Sequence, residues 1–442
     1  MRRLWSTLTL VAVCLGLAAY VYFVQSKQPP KGQQPKVFSV EAAAIDQLTV
    51  KGSAGQTATL RKVDGKWRLL QPEAAPADEA QVSGIVTALS SLSIARVIDE
   101  HASDLKSFGL ASPAIELAFS TNDGRTEQRL LIGDKNATGI DMYAKLPGSP
   151  RVFLIPSYLR ETFDLTPFDL RDKTLLRFDR DKLTGLDLTA DGRTVDLSKS
   201  GTQWTIDQPL HAPGDFLTAE NLVGRLQTAM MKSIVTEHPT DVKTYGLDKP
   251  QVTATLLVGA DRTTLELGSK APDGNVYART SASPRIVTVE ASLLDDLKKG
   301  PDDFRRKDLF TFRDYNADTV TLTRDGKTVT FSQQKGTGKD AAETWHRDTP
   351  AGTVKDGDMD DFLSKLSGLR AASWVASTAH TGLDKPYLTV TATFEDGKKH
   401  ETVKFGREGS DVYASRADQP GAAKVDAKTF NDAMKAFDAV SR

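Results

Sequence analysis

At 442 residues, 39% of them hydrophobic and 26% charged, the chain is too long for one ordinary core and has the make-up of folded protein rather than of disorder. A formal net charge of −1, with no strongly basic stretch, removes the field that charge-driven nucleic-acid binding needs. The single cysteine, Cys14, excludes an intramolecular disulfide and a thiolate zinc site.

Residues 4–24 read LWSTLTLVAVCLGLAAYVYFV and carry no charge. As a helix they would span roughly 31 Å, close to the hydrocarbon thickness of a bilayer. Trp5 near one end and Tyr20 and Tyr22 near the other suit the two interfacial belts. Ala18-Ala19-Tyr20 makes a poor signal-cleavage site, and Val13 precedes Cys14 where a lipoprotein signal wants a small residue. The expectation is an uncleaved signal anchor: a single transmembrane helix over 1–24 in a bacterial inner membrane. Arg2 and Arg3 flank the apolar run more closely than Lys27, Lys31 and Lys36, which favours a periplasmic body. Residues 25–36 (QSKQPPKGQQPK) read as a linker that cannot bury a core.

The remainder repeats three times, over 37–172, 173–306 and 307–442. Each copy has a tryptophan after a turn (Trp67, Trp204, Trp345), then a Gly-Leu pair followed by proline: Gly109 with Pro113, Gly246 with Pro250, Gly382 with Pro386. Gly133, Gly268 and Gly406, and the Tyr-Ala pairs at Tyr143, Tyr277 and Tyr413, recur in the same order at a nearly constant interval. LDLTADGRTVDL (186–197) alternates around Asp191-Gly192, and VTLTRDGKTVTF repeats it around Asp325-Gly326, the short-range hairpin signature. A helix capped by Asp78, Thr218 or Asp358 should follow. Its apolar stripe is Val82, Val86, Leu89 in copy one, Leu222, Leu226, Ala229 in copy two and Phe362, Leu366, Leu369 in copy three. Further alternating strands and a short closing helix near Tyr158, Leu293 and Phe430 complete the copy. The expected class is α+β: an N-terminal transmembrane helix, then three tandem repeats of antiparallel hairpins packed with one or two helices each.

The hairpin–helix–hairpin pattern, the Phe/Tyr-Gly-Leu…Pro motif and the segment RDKTLLRFD (171–179) resemble the bacterial family called domain of unknown function 4340 over everything after the linker. The resemblance implies envelope proteins with an N-terminal anchor. Many members resemble accessory components encoded beside ABC-type transporters and gliding-motility-like auxiliary proteins. It brings no catalytic residues to carry over.

Candidate chemistry is sparse. His101 with Asp104, and His238 with Asp241, hold equivalent places and could tune a base or bind a metal. A site duplicated with the fold, and missing from copy three, fits a loop-capping network better. Asp356 to Asp361 lacks the spacing of a calcium loop. The repeated tryptophans fit core anchors, whereas Trp374, unmatched in the other copies, is a surface aromatic candidate. No catalytic, metal or cofactor site is expected. The leading reading is a non-enzymatic envelope scaffold or transporter accessory with protein partners and no nucleic acid. The alternatives are an envelope-glycan-binding array and a hydrolase using the histidine loops.

Overall fold

Each module is organised by a two-residue turn. In the computed structural model, which describes residues 34–121, 126–334 and 344–442, Asp191 and Gly192 take φ of 49° and 76°, and Ala190 faces Arg193 across the turn. Two successive left-handed residues give the primed turn whose twist matches that of the flanking strands, and Asp-Gly tolerates it. Asp325-Gly326 does the same in module three. In module one the Asp-Gly turn is Asp64-Gly65, one hairpin later along the sheet.

Three nine-stranded antiparallel sheets result. Module one contains β1 (Ile45–Lys51), β2 (Thr57–Val63), β3 (Lys66–Gln71), β4 (Ala75–Pro76), β5 (Arg96–Asp99), β6 (Ile115–Thr121), β7 (Thr126–Lys135), β8 (Asp141–Lys145) and β9 (Val152–Pro156). Module two contains β10 (Leu183–Ala190), β11 (Arg193–Ser200), β12 (Gln203–Gln208), β13 (Ala212–Pro213), β14 (Met231–Thr236), β15 (Val252–Val258), β16 (Asp261–Lys270), β17 (Val276–Thr280) and β18 (Ser283–Val289). Module three contains β19 (Ala317–Arg324), β20 (Lys327–Gln334), β21 (Thr344–Thr349), β22 (Ala351–Thr353), β23 (Ala371–Val375), β24 (Leu388–Phe394), β25 (Lys399–Glu408), β26 (Asp411–Arg416) and β27 (Ala422–Val425). Across the sheet the order in module one is β4-β3-β2-β1-β6-β7-β8-β9-β5, and the other two sheets repeat it strand for strand.

Alternation gives each sheet one buried face. In module two it carries Leu186, Leu188, Val195, Leu197, Trp204 and Ile206. Cross-strand threonines pair on the strands as well, Thr189 with Thr194 at 3.2 Å and Thr255 with Thr264 at 3.0 Å. One helix per module lays its apolar side in the core: Glu79–Ser91 buries Val82, Ile85, Val86 and Leu89, Phe216–Gln227 buries Leu222 and Leu226, and Asp356–Ser367 buries Phe362 and Leu366. A second helix closes module two at Ala291–Leu297 and module three at Ala427–Val440.

Several expectations are corrected. The class is mostly β, because each module spends its chain on nine strands and few helices. The N-terminal transmembrane helix of the expected class is not found: residues 1–24 lie outside the described residues, and no helix among the described residues is long and apolar enough to cross a membrane. Asp78 does cap its helix, accepting hydrogen bonds from the amides of Ala80 and Gln81. Thr218 does not; Asp215 is the cap and accepts from the Thr218 amide at 2.8 Å. Asp358 lies inside the third helix, whose N-cap is Lys355. The linker's last residues also join module one, where Lys36 bridges Ser93 and the Ile94 amide donates to the Pro35 carbonyl.

The chain divides into two compact units, one up to Lys173 and one from Thr174 to Arg442. The second unit holds modules two and three together.

Candidate functional site

The glycines of the repeat motif lock a turn onto a strand. Gly109, Gly246 and Gly382 have φ of 66°, 67° and 70°, a region open to glycine at no steric cost. Gly133, Gly268 and Gly406 face them so closely that a Cβ would strike the carbonyl oxygens of Phe108, Tyr245 and Thr381. The leucines of the motif, Leu110, Leu247 and Leu383, are buried, while Pro113, Pro250 and Pro386 stand just ahead of β6, β15 and β24. Phe108 packs tilted against Tyr143 at 4.9 Å between ring centres, and Tyr245 packs edge-on against Tyr277 at 5.0 Å.

The tryptophans Trp67, Trp204 and Trp345 are buried in their cores. Trp204 has its indole N–H satisfied by Glu220, at 2.9 Å. Lys199 and Arg180 also donate to that carboxylate, at 2.7 and 2.6 Å. Burial disfavours the Glu220 anion, but the hydrogen bonds from Lys199, Arg180 and Trp204 more than offset it and hold the carboxyl at about 2, against an ordinary value of 4.5. A depressed folded-state value stabilises above the unfolded pKa and is lost as pH falls through the folded one. Glu220→Gln should therefore lower the urea midpoint of module two at pH 7, and the gap to the parent should close between about pH 4.5 and about pH 2.

The paired histidines are exposed, and the acids of their motifs hold turns. The Lys106 amide donates to Asp104 and the Lys243 amide to Asp241, each at 2.9 Å, while the His101 amide donates to Asp99 at 2.8 Å. Among the described residues no group of three or more His, Cys, Asp or Glu side chains is placed to hold a metal ion. Trp374 is half-buried rather than open. The Arg305 guanidinium lies 3.5 Å over its ring, and its indole N–H is buried without a partner among the described residues.

Polar groups converge most densely where the strap 304–312 crosses from module two into module three. Its first part belongs to module two. The Phe304 carbonyl accepts from the Asp215 amide at 2.6 Å, Arg305 bridges Gly214, and the Arg306 amide donates to Pro213 at 2.9 Å. Its second part belongs to module three, where the Ala371 amide donates to Lys307 at 2.8 Å and the Leu309 amide to Leu369 at 3.0 Å. Arg305, 2% exposed, donates to the Pro420 carbonyl at 2.7 Å and to the Gln419 side chain at 3.3 Å. Gln419 answers by donating to the Arg306 carbonyl at 3.1 Å.

Against the strap lies an ionic network, with Glu401 and Arg416 enclosed and Asp418 at its exposed rim. Glu401 accepts from the amides of Thr311 and Phe312, from the Thr311 hydroxyl and from Arg416 at 3.1 Å. Arg416 also grips Asp418 with two nitrogens, at 2.8 and 3.0 Å, and Arg306 reaches the same carboxylate at 3.1 Å. Burial pushes the Asp418 carboxyl up, but its bonds to Arg416 and the charge of Arg306 more than compensate and hold it low. Burial, with the neighbouring Arg416 charge, pulls Arg306 down. A groove of about 650 Å³ runs beside the strap, lined by Trp204, Phe216, Leu217, Arg306, Arg370 and Asp308, among others. Both of its arginines hold ion pairs, Arg306 with Asp418 and Arg370 with Asp308 at 3.2 Å, while the buried Arg306 Nε has no partner among the described residues. The arrangement is chemically a fastening.

The doubled arginine beside Phe304 was a visible signal in the sequence. Glu401, Arg416, Asp418 and Gln419 were not, since only the fold carries them to the strap.

Three modules of one antiparallel topology, two of them fastened by a hydrogen-bonded strap, define a tandem-repeat β protein. The chain belongs to the family described as Domain of unknown function (DUF4340), whose profile matches residues 67–208 and 204–386, as the motif resemblance implied. A search of curated proteins finds no match. Among solved structures the chain is similar to a DNA polymerase sliding clamp from Pseudomonas aeruginosa, at 10% identity over 89% of this chain and 93% of that one, with a TM-score of 0.16. A putative DNA polymerase III beta subunit from Eubacterium rectale matches at 6% identity over 89% and 93%, with a TM-score of 0.17. Superpositions this poor carry no argument about fold or function.

Proposed function

We propose that this protein is a non-enzymatic scaffold of the bacterial envelope, an accessory subunit that holds partner proteins outside the cytoplasm, such as those of an ABC-type transporter. The observation that carries the reading is the strap, hydrogen-bonded to module two on one side and to module three on the other. A joint hydrogen-bonded along its length to both modules sets a fixed spacing between two binding surfaces, which suits a spacer. A hinge closing on a substrate would want the opposite. The uncharged stretch over residues 4–24 supports attachment at the inner membrane, and the family resemblance supports the transporter setting. Affinity purification of the full chain from gently solubilised membranes should recover a stoichiometric protein partner. Recovery of the chain alone would count against the scaffold.

A further inference from the structure

Modules one and two each seat an extended segment against the short edge strand that precedes their main helix. In module one the Asp78 amide donates to Leu170 at 2.9 Å, the Asp172 amide donates to Pro76 at 3.0 Å, and Ala77 bridges Arg171. In module two the Asp215 amide donates to Phe304 at 2.6 Å, the Arg306 amide to Pro213 at 2.9 Å, and Gly214 bridges Arg305. Both seats thus use one donor and one acceptor, two residues apart, and both receive an arginine.

Strand register identifies the same seat in module three. Pro76 pairs with Arg68 and Pro213 with Thr205, in each case the residue after the core tryptophan. Thr353 pairs with His346, which follows Trp345. The third acceptor is therefore the Thr353 carbonyl, and the third donor is the Lys355 amide. Beyond the β21 pairing, no isolated bridge among the described residues reaches Thr353, Val354 or Lys355, and β22 is the last strand on its side of the sheet. Thr353 and Lys355 are exposed. The Ala427–Val440 helix does not fill the seat: it stays helical to its end, where the Ser441 amide donates back to Phe437.

Charge says what fits. The open seat adjoins Asp356, Asp358, Asp360 and Asp361 at the start of the Asp356–Ser367 helix, whose cap residue Lys355 makes no side-chain cap bond. The segments that fill the other two seats bring Arg171, or Arg305 with Arg306. We infer that the outer edge of β22, from Thr353 to Lys355, is a docking site for a basic, extended segment of a partner protein, bound by strand addition in the way the chain binds its own strap. The inference rests on the scaffold reading and specifies its partner's chemistry.

The test is a labelled synthetic peptide of residues 303–309 (DFRRKDL), titrated against the full-length chain in detergent. Saturable binding is expected, and it should weaken steeply with salt. Lys355→Pro deletes the donor amide at an extended N-cap position whose φ of −81° lies near proline's own, and should weaken binding by about tenfold or more. The peptide carrying Arg305→Glu and Arg306→Glu should bind no more than weakly. Should the proline variant misfold, Asp358→Lys with Asp360→Lys alters only exposed charge on the helix and must weaken binding as well. Absent binding, or binding that these variants leave unchanged, overturns the inference. So does self-association of the parent chain that Lys355→Pro abolishes, since the seat then belongs to a second copy. If the peptide fails while membranes still yield a stoichiometric partner, the seat is wrong and the scaffold stands. If both fail, the scaffold goes too.

Discussion

Gly268→Ala should cost module two about 3 kcal/mol or more and lower its thermal midpoint by roughly 6–12 °C. The new methyl would meet the Tyr245 carbonyl oxygen, with Leu247 Cγ at 3.1 Å and Gly246 C at 3.2 Å behind it. None of these can turn aside as a side-chain tip could, because two are backbone and the third is a core leucine, 2% exposed. The turn that carries Tyr245, Gly246 and Leu247 would have to lift off β16. Leu247 would leave its pocket, and the edge-on Tyr245–Tyr277 contact at 5.0 Å would open. Gly224→Ala is the control. Gly224 lies in the Phe216–Gln227 helix with nothing within 4 Å of an added Cβ, so that change should stabilise by roughly 0.5–1 kcal/mol. Thermal unfolding followed by tryptophan fluorescence checks both, and equal effects from the two would refute the close-approach account.

Glu401→Ala should be about as damaging, at roughly 3–5 kcal/mol. The carboxylate is 9% exposed and serves the amides of Thr311 and Phe312, the Thr311 hydroxyl and Arg416. Removing it leaves the buried Phe312 amide and the part-buried Thr311 amide unmet and strips the Arg416 guanidinium of one of its two carboxylates. Asp418 still holds Arg416, which sets the loss below that of an isolated buried charge. The strap's second half should loosen first. Trypsin gives a readout specific to that region, because Arg305, Arg306, Lys307 and Arg313 all lie in or beside the strap. The parent should resist cleavage there, and the variant should be cut before it unfolds globally. A variant that melts early yet shows no strap cleavage would place the network's role elsewhere.

Local physics made much of this architecture legible in the sequence. Asp191-Gly192 marks a hairpin because few other pairs accept two positive φ angles, and the helix stripes at Val82, Val86 and Leu89 need only a period. Edge strands hid the class. Ala212–Pro213 and Ala351–Thr353 are too short to carry any alternation, and without them the modules look richer in helix than they are. The helix caps were ambiguous for a related reason: Asp215 and Thr218 are both good capping residues three apart, and the strap decides between them by taking the Asp215 amide. Trp374 looked like a surface aromatic because its cover, Arg305, comes from a distant part of the chain. Long-range pairing of this kind leaves no local period to find.

The most direct test of the scaffold is the composition of the complex purified from gently solubilised membranes, read by quantitative protein staining and native mass. A partner at a fixed stoichiometry, retained through washing at moderate salt, is the expected result. A full-length chain that repeatedly emerges without one, folded and attached to membrane, would contradict it.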